Sequence, residues 1–397
     1  MEKDKKGTGI LSNSIIWFGA GVSIAEILTG TYFAPLGFAK GISAIIIGHV
    51  IGCCLLFFAG YIGALSKKSA MDSTAISFGK IGAKIFAFFN VIQLLGWTAI
   101  MIYDASLSLN GIFAASKCIW PLITGLLIIL WVLAGITNIG KFSSGVMIAL
   151  FVLTIVMCKI IFSGQKSQLS QDFQDAISFG QAIELAIAMP LSWLPLISDY
   201  TKEAEKPFAA TFASSLTYCL VSSWMYIIGM GLAILTEESD IAKIMAAAGL
   251  GKIALVIIIL STVTTTFLDA WSAAISFKTI FEKVPEKLTA IIVTVIGTLA
   301  AIFFPMDNIT DFLYLIGSIF APMISILLAD YFILKSDFSE KKIKVSRVII
   351  WLTGFIIYRL LMLTDLISGC TIPDMLITFA ITVITGLIIK KKDNKNI

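Results

Sequence analysis

Apolar residues fall along this chain in twelve long runs separated by short polar intervals. The runs lie near 14–36, 41–65, 83–113, 119–138, 142–162, 178–200, 208–235, 250–277, 288–305, 309–334, 347–363 and 372–389. A helix needs about 20 apolar residues to cross the hydrocarbon layer of a bilayer, so each run is expected to be one membrane-spanning helix. The first run is too long for a cleaved signal and meets the second across a short turn, so it counts as a span. No interval leaves room for a soluble domain.

Two spans carry a pattern that a smooth helix does not tolerate. Span 1 reads Trp17-Phe18-Gly19-Ala20-Gly21-Val22-Ser23 and then places Glu26 in mid-membrane. Span 6 runs from Phe179-Gly180 through Glu184 and contains Pro190 and Pro195 before closing on Ser198-Asp199-Tyr200-Thr201. Proline inside a helix removes a backbone bond and clashes with the preceding turn. Broken helices are tolerated at this depth where the freed backbone groups face a cavity or a ligand. Irregular first and sixth spans point to a five-plus-five inverted repeat around a central site. For span 1 a glycine-lined packing seam is the alternative.

Composition strengthens the membrane assignment. Of 397 residues, 58% are hydrophobic and 14% charged, and the mean hydropathy is +0.96, whereas soluble domains are about 45–50% apolar and about 25% charged. A soluble enzyme is excluded. The net charge of +4 matters through its placement. With the amino terminus inside, 22 of the 29 Lys and Arg fall on the cytoplasmic side, leaving Lys40, Lys117, Lys159, Lys166, Lys243, Lys252 and Arg359 outside. That excess obeys the positive-inside rule and predicts a multi-pass protein of the cell membrane with both termini cytoplasmic. The six cysteines form no Cys-x-x-Cys pair and read as packing residues.

Single residues narrow the chemistry. With His49 the only histidine, neither a His-based metal site nor a Ser-His-Asp triad can be built. No phosphate-cradling Gly-x-x-x-x-Gly-Lys-Ser/Thr loop is present, so direct ATP drive is not expected. His49, between Gly48 and Gly52, reads as a hydrogen-bonded packing residue, with a proton relay as the alternative, and the two glycines allow a neighbouring helix to approach. The deep acids Glu26, Asp104, Glu184 and Asp269 are costly in a membrane and are functional candidates by default. On span 3, Gln93, Trp97, Met101 and Asp104 recur at helical spacing and share a face. An indole beside polar groups suits a flat heteroaromatic ligand; burial between helices is the plain alternative. Span 8 carries Ser261-Thr262-Val263-Thr264-Thr265-Thr266 ahead of Asp269. These hydroxyls are hard oxygen ligands for a cation, or they return their bonds to their own helix.

Taken together, these residues resemble the nucleobase:cation symporter-1 family. The most specific piece is Ala321-Pro322-Met323-Ile324-Ser325-Ile326-Leu327-Leu328-Ala329-Asp330-Tyr331-Phe332, followed by Ser198-Asp199-Tyr200-Thr201-Lys202 and Gly96-Trp97. The opening Trp17–Ser23 is most similar to a short bacterial subgroup of hydroxymethylpyrimidine transporters linked to salvage of thiamin precursors. The resemblance implies an all-α membrane fold of twelve helices, a leucine-transporter-like inverted repeat with two extra helices. It divides the chain into a cytoplasmic tail 1–13, a ten-helix core 14–334 with repeats 14–162 and 178–334, two further helices 347–389 and a tail 390–397. It implies substrate between spans 1, 3, 6 and 8, with Trp97 at the stacking position and Trp193 as the span 6 counterpart. Met101 replaces the family's glutamine and Asp269 its span 8 asparagine, an altered code suited to an aminopyrimidine donating to Asp269 or Glu26.

The expected substrate contacts are thus Trp97, Glu26, Gln93, Met101, Asp104, Glu184, Trp193 and Asp269. The family's sodium site maps to Gly19, Ala20 and Val22 with Thr264 and Thr265; a proton on Glu26 is the other coupling ion. The expectation is a secondary active importer of a pyrimidine-type ring, hydroxymethylpyrimidine or cytosine-like, driven by Na⁺ or H⁺ through alternating access. Its partners are that ring and the lipid bilayer, with no cofactor, no nucleic acid and no obligate protein partner. An amino-acid or other small-solute carrier on the same scaffold, and an intramembrane enzyme, are the rival readings.

Overall fold

The computed structural model describes residues 7–111, 113–134, 177–236 and 251–393, with scattered helical positions between 149 and 159. The expected span 142–162 falls largely outside the described residues, as do Lys141, Lys166 and Lys243. The described residues are helical, and seven of their helical stretches are long and apolar enough to cross a membrane.

Span 1 is two helices, α1 (Ile10–Gly21) and α2 (Ile24–Thr31). Span 2 is α3 (Gly37–Ser66), followed by the short α4 (Ala70–Ser73) and by α5 (Ala75–Asn110), which carries span 3. Span 4 is α5's neighbour α6 (Ile119–Ala134). Span 6 divides into α7 (Phe179–Ser192) and α8 (Leu194–Thr201). Then come α9 (Pro207–Thr236), α10 (Gly251–Ile280), α11 (Glu286–Phe303) and α12 (Ile309–Leu328), whose last turn winds on as a π-helix over Ala329–Leu334. The two extra helices are α13 (Val345–Leu361) and α14 (Thr371–Asp393).

Large apolar side chains on most helices point outward, for example Leu126, Leu130, Leu220, Ile349 and Leu360. In water that surface would be unfavourable at roughly 25 cal/mol per Å²; against lipid tails it costs nothing. The interior is packed by small residues. A β-carbon on Gly52 would lie 2.7 Å from Pro190 Cγ and 2.9 Å from the Ile187 carbonyl, and one on Gly48 would lie 2.8 Å from the Ile183 carbonyl. α3 and α7 therefore touch backbone to backbone along the predicted glycine seam. α5 packs along α10, and α9 holds α1, α2 and α3. α13 and α14 pack beside α12 and against each other.

At the start of α5, Gly79 adopts φ 76°, ψ 176°. Its neighbours Lys80 and Ile81 donate to the carbonyls of Lys341 and Lys342 at 3.0 and 2.8 Å. A side chain here would strain the backbone and meet the Lys341 carbonyl, so glycine is what ties span 3 to the 338–344 connection.

Candidate substrate site

The first break spans two residues. α1 ends at Gly21; Val22 (φ −102°, ψ 93°) and Ser23 (φ −147°, ψ 165°) are extended, and the Ser23 hydroxyl accepts from the Glu26 amide to start α2. α10 presents a stripe of polar residues at three- and four-residue spacing: Thr262, Thr265, Asp269, Ser272 and Ser276. The Thr265 hydroxyl donates to the Gly19 carbonyl at 3.1 Å, and the Ile24 amide donates to Thr262 Oγ1 at 3.3 Å. Two of the expected cation ligands, Gly19 and Thr265, thus meet directly. Ala20 and Val22 are buried in the same broken turn. Thr264 is half-buried and lies beside the stripe, not on it. Thr262, whose hydroxyl does enter the break, was not among the expected ligands; its signal was the three-residue offset from Thr265.

The second break turns on one residue. Pro195 has no amide hydrogen to return to α7, and both Leu196 and Ile197 donate to the Trp193 carbonyl at 3.0 and 3.1 Å. The Ser192 carbonyl is left over, and Gln93 Nε2 donates to it at 2.8 Å. Asn90 Nδ2 donates to the Pro195 carbonyl at 3.0 Å and to Ser276 Oγ at 2.8 Å, while its own Oδ1 accepts from Gln93 at 3.2 Å. Asn90 was missed by the sequence reading, although it stands three residues before Gln93 on the same face.

These bonds press the Gln93–Trp97 face of α5 against the break. Trp97 is buried and meets Phe312 edge-on at 5.4 Å. Its indole Nε1 and the Gln93 Oε1 are both buried and have no hydrogen-bond partner among the described residues. An unpaired buried polar atom costs about 1–3 kcal/mol, and this face carries one such donor and one such acceptor. Met101 is buried on the same face. Asp104, further along it, lines a vestibule of about 470 Å³ with Ile24, Leu28, Tyr32, Ser108 and Asp307. Asp269 is buried at the centre of the α10 stripe. Trp193 sits at the break itself and packs edge-on against Trp17 (5.7 Å) and Tyr218 (6.0 Å), in an aromatic group that Tyr200 joins through Trp17.

Two expected substrate contacts belong elsewhere. Glu184 turns toward the 370–371 segment: it accepts from the Cys370 and Thr371 amides at 2.6 and 2.8 Å, from Thr371 Oγ1 at 2.6 Å, and from the Tyr358 hydroxyl. Four donors saturate the carboxylate and leave nothing for a ring. Glu26 turns toward α9, with Tyr218 Oη 2.6 Å from Oε1 and Ser222 Oγ 2.7 Å from Oε2. His49 is hydrogen-bonded there too, Nε2 lying 2.7 Å from Ser222 Oγ.

The signature residues turn out to be fasteners. Ser198 and Thr201 donate to the carbonyls of Ala59 and Gly60 on α3 at 3.0 and 2.9 Å, Asp199 accepts from the Ala70 amide at 2.9 Å, and the Tyr200 hydroxyl lies 3.2 Å from Ser272 Oγ. Asp330 takes both arms of Arg347, at 2.6 and 3.0 Å, and so binds the end of α12 to α13. A two-armed Arg–carboxylate pair is directional as well as strong.

Interrupted first and sixth spans packed across two further helices define a leucine-transporter-like carrier. The fold matches a solved structure of Mhp1, a nucleobase-cation-symport-1 family transporter in a closed conformation with bromovinylhydantoin bound, at a TM-score of 0.82 and 17% identity over 98% of this chain and 94% of that one. The profile of a family of permeases for cytosine/purines, uracil, thiamine and allantoin matches residues 1–342, and the chain belongs to that family. It is a multi-pass membrane transporter and not an enzyme. Among curated relatives, the purine-cytosine permease FCY21 of Saccharomyces cerevisiae is 21% identical over 379 residues, covering 85% of this chain and 71% of that protein. The vitamin B6 transporter TPN1 of the same yeast is 22% identical over 347 residues, 79% of this chain and 58% of that protein.

Proposed function

We propose that this protein imports a pyrimidine-type ring, hydroxymethylpyrimidine or a cytosine-like base, by cation-coupled symport and alternating access. The observation that carries the reading is the pair of buried unpartnered atoms, Gln93 Oε1 and Trp97 Nε1, on one face of α5 beside the second break. A planar ring with a donor and an acceptor on its rim answers both, and the indole offers it a stacking surface. Trp97, Gln93, Met101, Asp104 and Asp269 form the ring-facing set, with Trp193 closing the break. Relatives named for purines, cytosine and vitamin B6 support a small nitrogen heterocycle, and hydroxymethylpyrimidine fits as a thiamin precursor.

The coupling cation is Na⁺ or H⁺. For Na⁺, the Gly19 carbonyl and the Thr265 hydroxyl offer two hard oxygens across the first break. A ligand shifts an alternating-access equilibrium only by its differential affinity for the two openings, so ring and cation must each favour the state able to interconvert. The lysine distribution supports both termini on the cytoplasmic side of the cell membrane, which turns the Asp104 vestibule outward.

The test is uptake of labelled hydroxymethylpyrimidine, cytosine and a neutral amino acid into proteoliposomes under an imposed Na⁺ or pH gradient. Gradient-driven accumulation of a pyrimidine is the expected result. Accumulation of the amino acid alone, or of none of the three, would overturn the proposal.

A further inference from the structure

We infer that Glu26, Ser222 and His49 form a buried chain that holds one exchangeable proton between α2, α9 and α3. All three side chains are buried to 1% exposure or less. His49 Nδ1 lies 2.9 Å from the Ile45 carbonyl, which can only accept, so Nδ1 carries a hydrogen. His49 Nε2 lies 2.7 Å from Ser222 Oγ, and that oxygen lies 2.7 Å from Glu26 Oε2. Ser222 stands between two acceptors with a single hydrogen to give.

Counting hydrogens decides the state. With Glu26 ionised and His49 neutral, Ser222 can satisfy one neighbour, and the other contact brings two lone pairs to 2.7 Å with nothing between them. One added proton removes the conflict in either of two ways. Glu26 Oε2–H donates to Ser222, whose own hydrogen goes to His49 Nε2. Alternatively, His49 Nε2–H donates to Ser222, which donates to the Glu26 carboxylate. The two forms interconvert when one hydrogen passes from Oε2 to Oγ as another passes from Oγ to Nε2, so charge and atoms balance. Tyr218 donates to Oε1 at 2.6 Å in both.

The remaining groups that face Glu26 do not compete for the proton's place. They are Tyr218 and Tyr226 from α9 and Cys53 from α3. Tyr226 also meets the His49 ring edge-on at 4.7 Å. Asp104 of α5 lies toward Ile24 and Leu28, on the vestibule side of α2. No described lysine or arginine pairs with Glu26. Loss of the proton therefore leaves a buried carboxylate with no countercharge, which is costly at this depth. Because α2 starts at the first break, a tilt of α2 against α9 would part Oε2 from Ser222 and open the exit for the proton. Proton occupancy and the position of α2 are then two readings of one equilibrium.

This inference rests on the carrier reading for its coupling role, but the proton site is tested apart from transport. Infrared spectra of the purified protein near neutral pH are expected to show a carboxylic-acid C=O band that vanishes in Glu26→Gln and shifts in Ser222→Ala and His49→Gln. A wild-type spectrum with neither a carboxylic-acid band removed by Glu26→Gln nor an imidazolium band removed by His49→Gln, or a carboxylic-acid band indifferent to both Ser222→Ala and His49→Gln, would overturn it. In liposomes loaded with a pH dye, addition of the ring is expected to move protons inward with the wild type and not with Glu26→Gln. Ring uptake by the wild type with equal proton movement in the two would also overturn the inference. Absence of ring uptake by the wild type, with the band present and sensitive to Ser222, would remove the carrier reading and leave the proton site standing.

Discussion

The half-helices α2 and α7 each follow a glycine-bearing start with one buried glutamate, yet the two acids are handled differently. Glu184 is met by two backbone amides and two hydroxyls. This arrangement fastens α7 to the segment leading into α14. Glu26 is met by hydroxyls alone, one of them shared with an imidazole. A hydroxyl can give or take a hydrogen, whereas a backbone amide can only give one. The two acids thus differ in the chemistry of their donors more than in burial.

The breaks beside these acids differ in the same sense. The second is held by carboxamides at 2.8 to 3.0 Å; the first is held by threonine hydroxyls at 3.1 and 3.3 Å. The bonds across the span 1 joint are the longer ones.

Substitutions can break or sharpen this contrast. Glu184→Gln replaces Oε1 by an NH₂ facing the Tyr358 and Thr371 hydroxyls, removes the charge from the bonds of the Cys370 and Thr371 amides, and is expected to cost about 2–3 kcal/mol of stability, read as a lowered unfolding midpoint in detergent. Asn90→Ala strips the Pro195 carbonyl and Ser276 of their donor and is expected to cost about 1–2 kcal/mol, since hydrogen bonds between membrane helices average about 0.6 kcal/mol each. Thr265→Val, nearly the same shape, removes one such bond and is expected to cost about 0.6 kcal/mol in the same assay, while changing the cation dependence of uptake. Glu26→Gln is expected to leave the midpoint almost unmoved, because the amide reproduces the protonated acid with a donor for Ser222 and an acceptor for Tyr218. A Glu26→Gln loss as large as that of Glu184→Gln would erase the distinction.

Much of this architecture was legible in the chain. Apolar run length placed the spans, and Gly19, Gly21, Pro190 and Pro195 marked the breaks, because these are local rules of backbone chemistry. The pairing of Gly19 with Thr265 followed from the family pattern. What could not be read was the direction in which Glu26 and Glu184 turn. Both are deep acids by sequence, and only the packed neighbours, Ser222 on α9 and Thr371 on α14, decide where each carboxylate finds donors. Asn90 and Thr262 were passed over for a related reason: each is a single polar residue whose partner is a carbonyl or amide freed by a break in another helix. The Ser198–Thr201 and Ala329–Tyr331 signatures marked the family correctly, but Ser198, Asp199, Thr201 and Asp330 fasten helices to one another.

The central claim is that a flat ring lies against the Gln93–Trp97 face at the second break. Equilibrium binding of labelled hydroxymethylpyrimidine and of cytosine to purified wild-type and Trp97→Ala protein tests it most directly. Saturable binding of at least one of them, weakened in Trp97→Ala by about 1–3 kcal/mol as for other base–aromatic stacks, is the expected result. Saturable binding with the same affinity in both proteins would return Trp97 to packing and contradict the account.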